Sequence, residues 1–380
     1  MPHDDARRAT IERRFLEFGR EFGHLPLYGS LARELAEDPE AARLLLAAQP
    51  GQDRPVLWFA ALHDLVLQRP DLPAARWYPS VVGRAHVATG DPWPDVRDTV
   101  LAHREELTAT IATHATQTNE VNRCVYLSAG LAAATRDRSV DGADSIALVE
   151  LGASAGLLLG IDRYAVRLAR HGAGSVAGDP GSPVWCEGAD RSPSPVRIEP
   201  LPRITGRAGI DREPVRLDEG RGVRWLTACL WPDVPGRVER FRAAVDVMQQ
   251  HPPTLVRGDL VDDLSVVVAA ARTDEPATSH VVVFSSWALT YVEASRRSEL
   301  ADRLTALGRE LPALSWLTAE PPGAAPGISA RPGPRPEAGG TVLGLRRWRD
   351  GAETQPLVLG TCHPHGDWID VAPLPSGSPP

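Results

Sequence analysis

The chain predicts an α/β protein: a helical N-terminal domain, then a mostly parallel sheet that ends in an antiparallel hairpin. Before residue 144 apolar residues recur at helical spacing, and from residue 146 short β-branched runs alternate with helical segments. The last two runs are joined through Asp350-Gly351, a hairpin turn signal. The expected limits are 1–143 for the helical domain, 144–373 for the sheet domain and 374–380 for a disordered tail.

In the first part, "ATIERRFLEFGREF", "YGSLARELAED", "EAARLLLAAQ", "PVLWFAALHDLVLQ" and "WPDVRDTVLAHREELTATIATHA" place arginine and glutamate between apolar positions one helical turn apart. "TQTNEVNRCVYLSAGLAAATR" reads as a further helix. The break falls near Ser139 to Ser145. Beyond it, "IALVEL", "TLVRGDL", "HVVVFSS", "ALSWLTAE", "TVLGLRRW" and "PLVLGTC" are strands, and "VERFRAAVDVMQQ", "DDLSVVVAAAR" and "ASRRSELADRLTALGREL" are crossover helices. The region 165–220 hides one more strand around Val196 to Ile204. Residues 320–340 are too rich in proline and glycine for a helix and predict a mobile loop. The hairpin pairs 341–348 with 355–362, which sends "HPHG" to the sheet edge opposite the carboxyl ends of the parallel strands.

Composition excludes several function classes. The 380 residues, 43% hydrophobic and 24% charged with a net charge of −8, describe a soluble globular chain with no basic field for nucleic acid. No apolar run is long enough to span a membrane, and no signal core opens the chain, so a cytoplasmic protein is expected. Small molecules are the expected partners, and the oligomeric state is left open. Cys124, Cys186, Cys229 and Cys362 form no C-x-x-C pair and read as buried thiols. All 41 basic residues are arginine. Without lysine there is no P-loop, no Schiff-base chemistry and no kinase-type lysine.

The stretch "IALVELGASAGLLLGIDRY" carries the chemistry. Read as Gly152-Ala-Ser154-Ala-Gly156, it matches the G-x-S-x-G turn that presents a nucleophilic serine. Glu320 and then His363 or His365 would follow in hydrolase order. Read from Glu150, it is a cofactor loop: an acidic residue ends a strand, small residues admit a ligand, and free N–H groups at a helix start face it. An open α/β sheet binds ligands at the carboxyl ends of its strands. Glu150 lies there, together with Asp259, Ser285-Ser286-Trp287 and Glu320. G-x-G-x-x-G is not met, which disfavours a dinucleotide.

"LVELGASAG" resembles the first motif of class I S-adenosylmethionine-dependent methyltransferases, and the resemblance covers about residues 144–371. It implies a Rossmann-like sheet and S-adenosylmethionine as cofactor, with Glu150, Gly152, Ala153, Ser154 and Gly156 around its amino-acid end. It also implies Asp259 near the adenine, and Asp211 or Glu213 on the ribose. Ser285 closes the fourth strand at the same edge. Ser154 stands in place of the middle glycine, and "FSSW" departs from the N-P-P-Y pattern of many amine methyltransferases. Over nearly its whole length the chain is identified as a member of a bacterial domain-of-unknown-function family (2332) by "TQTNEVNRC", "VELGASAGLLLGIDRY", "RWLTACLWP" and "HPHGDW".

Gln117, Asn119, Glu120 and Arg123 form a polar cluster before the first strand that would close over the cofactor or simply start a helix. Trp225 and Trp231 read as core anchors, and Asp162-Arg163-Tyr164 as a local ion pair beside a packed ring. Two histidines in "HPHG" lack a third ligand for a metal. Small-molecule methylation is the expected function. A hydrolase using Ser154, or a non-catalytic small-molecule binding protein, is the alternative; Glu320, Ser286 and Tyr291 are candidate bases by position.

Overall fold

The computed structural model describes residues 2–136, 145–170, 173–272, 280–328 and 340–372. The expected domain boundary at 143/144, most of the proline-rich loop and the tail after Pro373 lie outside the described residues. No helix among the described residues is long and apolar enough to cross a membrane.

Two compact units are present, 1–119 with 218–242 and 120–217 with 243–380. The first is helical: α1 (Pro2–Glu21), α2 (Tyr28–Glu37), α3 (Pro39–Ala42), α4 (Pro55–Gln68), α5 (Pro79–Val82), α6 (Trp93–Ala102) and α7 (Arg104–Thr113). Helix α4 is buried on nearly every side, which is why its apolar residues exceed one stripe. Tyr28 stacks on Phe59 with ring centroids 4.4 Å apart, and Trp231 packs on Phe18 and Phe22. Trp225 is buried in the same core. Asp233 accepts the backbone N–H groups of Leu27 and Tyr28 at 2.8 and 2.9 Å, serving the start of α2 from 205 positions away. That contact and the two tryptophans explain why 218–242 joins a unit otherwise complete by Asn119.

Among the described residues the second unit holds α8 (Cys124–Thr135) and a twelve-stranded sheet. Its strands are β1 (Ser145–Leu151), β2 (Ala165–Arg170), β3 (Ala173–Gly178), β4 (Trp185–Asp190), β5 (Arg203–Asp211), β6 (Thr254–Arg257), β7 (His280–Ser286), β8 (Ala313–Glu320), β9 (Thr341–Arg349), β10 (Ala352–Glu353), β11 (Leu357–Cys362) and β12 (Trp368–Val371). The spatial order is β3-β2-β4-β12-β11-β9-β8-β7-β1-β5-β6, with β10 on β9. Strands β6, β5, β1, β7 and β8 are mutually parallel. Taken alone they run third, second, first, fourth, fifth, the doubly wound order that reverses between its first and fourth strands.

The remaining helices are α9 (Gly220–Ala228) in the first unit, α10 (Arg237–Gln250), and α11 (Leu264–Ala271) and α12 (Ala294–Glu310) on the sheet. Ala147, Val149, Leu151, Val281, Val283 and Trp316 alternate onto the face covered by α11 and α12. Leu148, Glu150 and Phe284 take the other face. There α8 packs so closely that a Cβ on Gly130 would lie 3.2 Å from Leu317.

Three expectations about the sheet are corrected. One strand was expected in 165–220, at Val196 to Ile204; four strands occur there, and the last begins only at Arg203. The glycine turn leads into a seven-residue 3₁₀ segment, Leu157–Arg163, instead of an α-helix. The hairpin forms as expected, with Asp350 and Gly351 both at positive φ. Its placement is reversed, however. Strand β9 is antiparallel to β8 and β11 is antiparallel to β9, so β11 runs with the parallel strands. "HPHG" therefore emerges at their carboxyl edge, beside Thr341 and Glu320.

Candidate functional site

The reversal between β1 and β7 brings two corners together, Glu150–Gly156 after β1 and Ser285–Leu289 after β7. Glu150 is 5% exposed, and its Oε2 has no hydrogen-bond partner among the described residues. Burial pushes its carboxyl well above the ordinary range; Arg123 opposes this and Asp211 adds to it. Arg123 is itself buried, donating Nε to the Pro364 carbonyl at 3.1 Å and Nη1 to the Ser286 carbonyl at 3.1 Å. One guanidinium thus ties the "HPHG" loop to the end of β7 and faces a buried carboxylate.

The first corner turns on three residues at positive φ: Gly152 at 75°, Ser154 at 50° and Gly156 at 68°. A Cβ at Gly152 would stand 2.7 Å from that of Ala288, so the glycine is required by the neighbouring corner. Four N–H groups of the corner, those of Gly152, Ala153, Ser154 and Gly156, are spent within the protein. Gly152 and Ala153 both donate to the Ile210 carbonyl, at 2.9 and 3.0 Å, and Gly156 donates to Ala153 at 2.7 Å. Ser154 donates its N–H to Asp211 Oδ2 at 2.8 Å, and its carbonyl accepts from Val215. Strand β5 takes up the first three of these donors, those of Gly152, Ala153 and Ser154.

Asp211, at the end of β5, spends its other oxygen on the Glu213 N–H at 3.0 Å. Asp259 lies at the same edge, two strands from β1 at the end of the sheet. It accepts from the backbone of Val261 and Asp262 and pairs with Arg212 and Arg296. Burial raises its carboxyl, but the Val261 N–H, Arg212 and the Asp262 N–H outweigh burial and hold it below the usual range. Asp259 is a turn cap with ion pairs.

At the second corner Ser285 is buried, and Ser286 Oγ lies 2.7 Å from Tyr126 Oη. Behind them a cavity of about 10 Å³ remains between α8 and the sheet, room for one water at most. Under α8 there is thus no room for a ligand. Trp287 has φ 57°, a conformation that costs a bulky residue on the order of 1–3 kcal/mol. It is held by its N–H on the Ala319 carbonyl at 3.0 Å and Nε1 on Thr341 Oγ1 at 2.8 Å. Glu320 accepts the N–H groups of Ala288 and Leu289. Burial pushes Glu320 up to about 7, against those two donors, the Ser285 hydroxyl and Arg123.

Gln117 and Asn119 belong to the first unit, in the irregular segment 114–120 where helix was expected. Asn119 is buried, and a Gln117 backbone group bonds the Cys229 sulfur. Glu120 caps the turn before α8 by accepting the Asn122 N–H. Asp162, in the 3₁₀ segment, pairs with Arg207 of β5 instead of with Arg163, and Tyr164 Oη donates to the Leu157 carbonyl. The roles of Trp287, Ala288 and Arg123 were not legible individually. The signals present were an acidic end to "ALSWLTAE" and a tryptophan directly after "FSS".

Strand order defines an open, doubly wound α/β sheet whose order reverses between β1 and β7, with a buried carboxylate at the reversal. The chain belongs to the bacterial family described as "Uncharacterized protein conserved in bacteria (DUF2332)", whose pattern matches residues 12–371. No curated protein matches it significantly. Among solved structures it is similar to the sugar N-methyltransferase KedS8 from Streptoalloteichus sp. ATCC 53650, at 13% identity and a TM-score of 0.21, covering 63% of this chain and 72% of that one.

Proposed function

We propose that the chain is an S-adenosylmethionine-dependent methyltransferase that acts on a small molecule. The observation that carries this reading is Glu150, a buried carboxylate with an unpartnered oxygen at the reversal point of a doubly wound sheet. Such an oxygen calls for a donor, and a cationic one would offset the burial that pushes this carboxyl up. The amino-acid end of the cofactor offers both an ammonium and a carboxylate, and Glu150 and Arg123 are the opposite charges to match them. The fit is good at that end. It is less developed at the glycine turn, where four N–H groups are spent internally, and at Asp211, which already accepts two backbone donors.

When bound, the cofactor supplies an activated methyl group. The protein's part is to orient and to exclude water. Glu150 and Arg123 would hold the amino-acid end, Gly152 and Ala288 would bound the crevice, and the half-buried Trp287 gives it an aromatic wall. Glu320 is committed to two backbone N–H groups and is not free to act as a base on an acceptor. A thermal-shift comparison with S-adenosylmethionine, S-adenosylhomocysteine and NAD tests the reading, because a ligand of the native state raises the melting temperature. The first two are expected to stabilise the wild type and NAD is not; stabilisation by NAD alone would replace the proposal with a dinucleotide enzyme.

Positive φ at Ser154 and the "HPHG" loop at the same edge favour a second reading, a serine hydrolase. Distance weighs against it. Strand β11 lies four strands from β1, which puts the strand ends roughly 19 Å apart, against about 3 Å for proton transfer. A fluorophosphonate that labels Ser154, with labelling lost in His363→Ala or His365→Ala, would put the hydrolase first.

A further inference from the structure

The two corners at the reversal point are joined by one side chain. Glu320, at the end of β8 and 1% exposed, accepts Ala288 N–H at 3.1 Å and Leu289 N–H at 3.3 Å on Oε1, and Leu289 N–H again at 3.3 Å on Oε2. The clasped segment starts at Trp287, whose positive φ requires external support, and contains Ala288, the residue against which Gly152 closes. We propose that Glu320 is a positioning residue for the crevice: its carboxylate clamps Trp287–Leu289 in the conformation that seats Ala288 on Gly152, and ligand binding beside Glu150 requires the ionised clamp.

The charged and titratable groups facing Glu320 come from every side. Arg123 approaches from the turn before α8, Tyr126 from α8 and the Ser285 hydroxyl from β7. Arg123 also faces Glu150, so the two carboxylates share one cation. Ionised, Glu320 offers only acceptors, which suits the two N–H groups. Protonation turns one oxygen into a donor, and an Oε2–H aimed at the Leu289 N–H opposes it. The clamp then loosens without any change in the rest of β8. With the carboxyl pushed up to about 7, this falls within the neutral range.

The inference rests on the proposed reading of this crevice, so its test separates the two. Wild type, Glu320→Gln and Glu320→Leu are titrated calorimetrically with S-adenosylhomocysteine at pH 8 and pH 6. Amide exchange of the segment 285–292 is followed in parallel without ligand, corrected for intrinsic rates. At pH 6 roughly one Glu320 in ten remains ionised, so wild-type affinity is expected to fall about tenfold from its value at pH 8. Glu320→Gln, which like the protonated acid keeps one acceptor and turns a donor toward the clasped N–H groups, loses the titration and is expected to bind at both pH values about as weakly as wild type at pH 6. Glu320→Leu binds weakly at both values and exchanges faster at Ala288 and Leu289. Unchanged exchange in Glu320→Leu overturns the clamp, as does faster exchange with undiminished affinity. If no variant binds the ligand at either pH while exchange responds to Glu320→Leu, the clamp stands and the cofactor reading falls.

Discussion

The two corners at the crevice solve the same geometric problem by different means. After β1 the chain reverses through Gly152, Ser154 and Gly156, two of which have no Cβ to strain, and backbone carbonyls and Asp211 hold the result. After β7 the reversal is made on a tryptophan, and a buried carboxylate holds it. The glycine corner is held largely by the Ile210 carbonyl, which carries no titratable proton. A corner clasped by Glu320 is sensitive to pH, and its side chains contribute an aromatic wall that glycine could not.

The largest effect is expected where the corners touch. Gly152→Val forces a β-branched residue to φ 75° and sets its Cβ 2.7 Å from Ala288, so it should cost about 3 kcal/mol or more in urea unfolding. Gly323→Ala has a similar φ of 79° with nothing within 4 Å, and should cost only about 1–2 kcal/mol. Equal losses would mean that the contact with Ala288 contributes nothing.

Glu320→Gln sharpens the comparison through pH. The folded-state carboxyl lies near 7, above its ordinary 4.5, so the native state binds the extra proton between those values. The stability Glu320 contributes is therefore full below pH 4.5 and lost as pH rises through about 7. Relative to wild type, the glutamine variant should gain stability between pH 5 and pH 8, up to roughly 3 kcal/mol. A difference in melting temperature that stays flat over that range would show that Glu320 titrates normally.

The smallest effect is at Ser154. Ser154→Gly relieves a left-handed serine but adds unfolded-state freedom, a net gain under about 1 kcal/mol. Ser154→Ala should leave both stability and ligand affinity nearly unchanged. A large loss of affinity in the alanine variant would assign the hydroxyl a role in the crevice.

Sequence patterning revealed the elements whose burial is uniform. "SIALVEL", "HVVVFSS" and "ALSWLTAE" are buried along almost their whole length and read as apolar runs. Strand β4, "WCEGAD", alternates exposed and buried residues with a glycine and an alanine, and β3 is largely glycine and alanine, so neither carries a strong strand signal. The Asp350-Gly351 turn was legible, but the edge it serves was not. Direction depends on whether the chain crosses over or turns back after Glu320, and proline and glycine permit either. The acidic strand end and glycine spacing marked Glu150 and Gly152. The fate of the loop's N–H groups was invisible because their acceptors lie on β5, 57 positions away for Ser154.

The central claim is that Glu150 receives a cationic group in the crevice between β1 and β7. The most direct measurement is calorimetric titration of S-adenosylhomocysteine into wild type and Glu150→Gln at pH 8, where Gln preserves shape and cannot ionise to meet a cation. Loss of a hydrogen bond to a charged acceptor is worth about 1.5–3 kcal/mol, so the variant should bind roughly 10- to 100-fold more weakly with unchanged stoichiometry. Equal affinity in the two proteins, or no heat of binding at millimolar ligand in folded wild type, would contradict it.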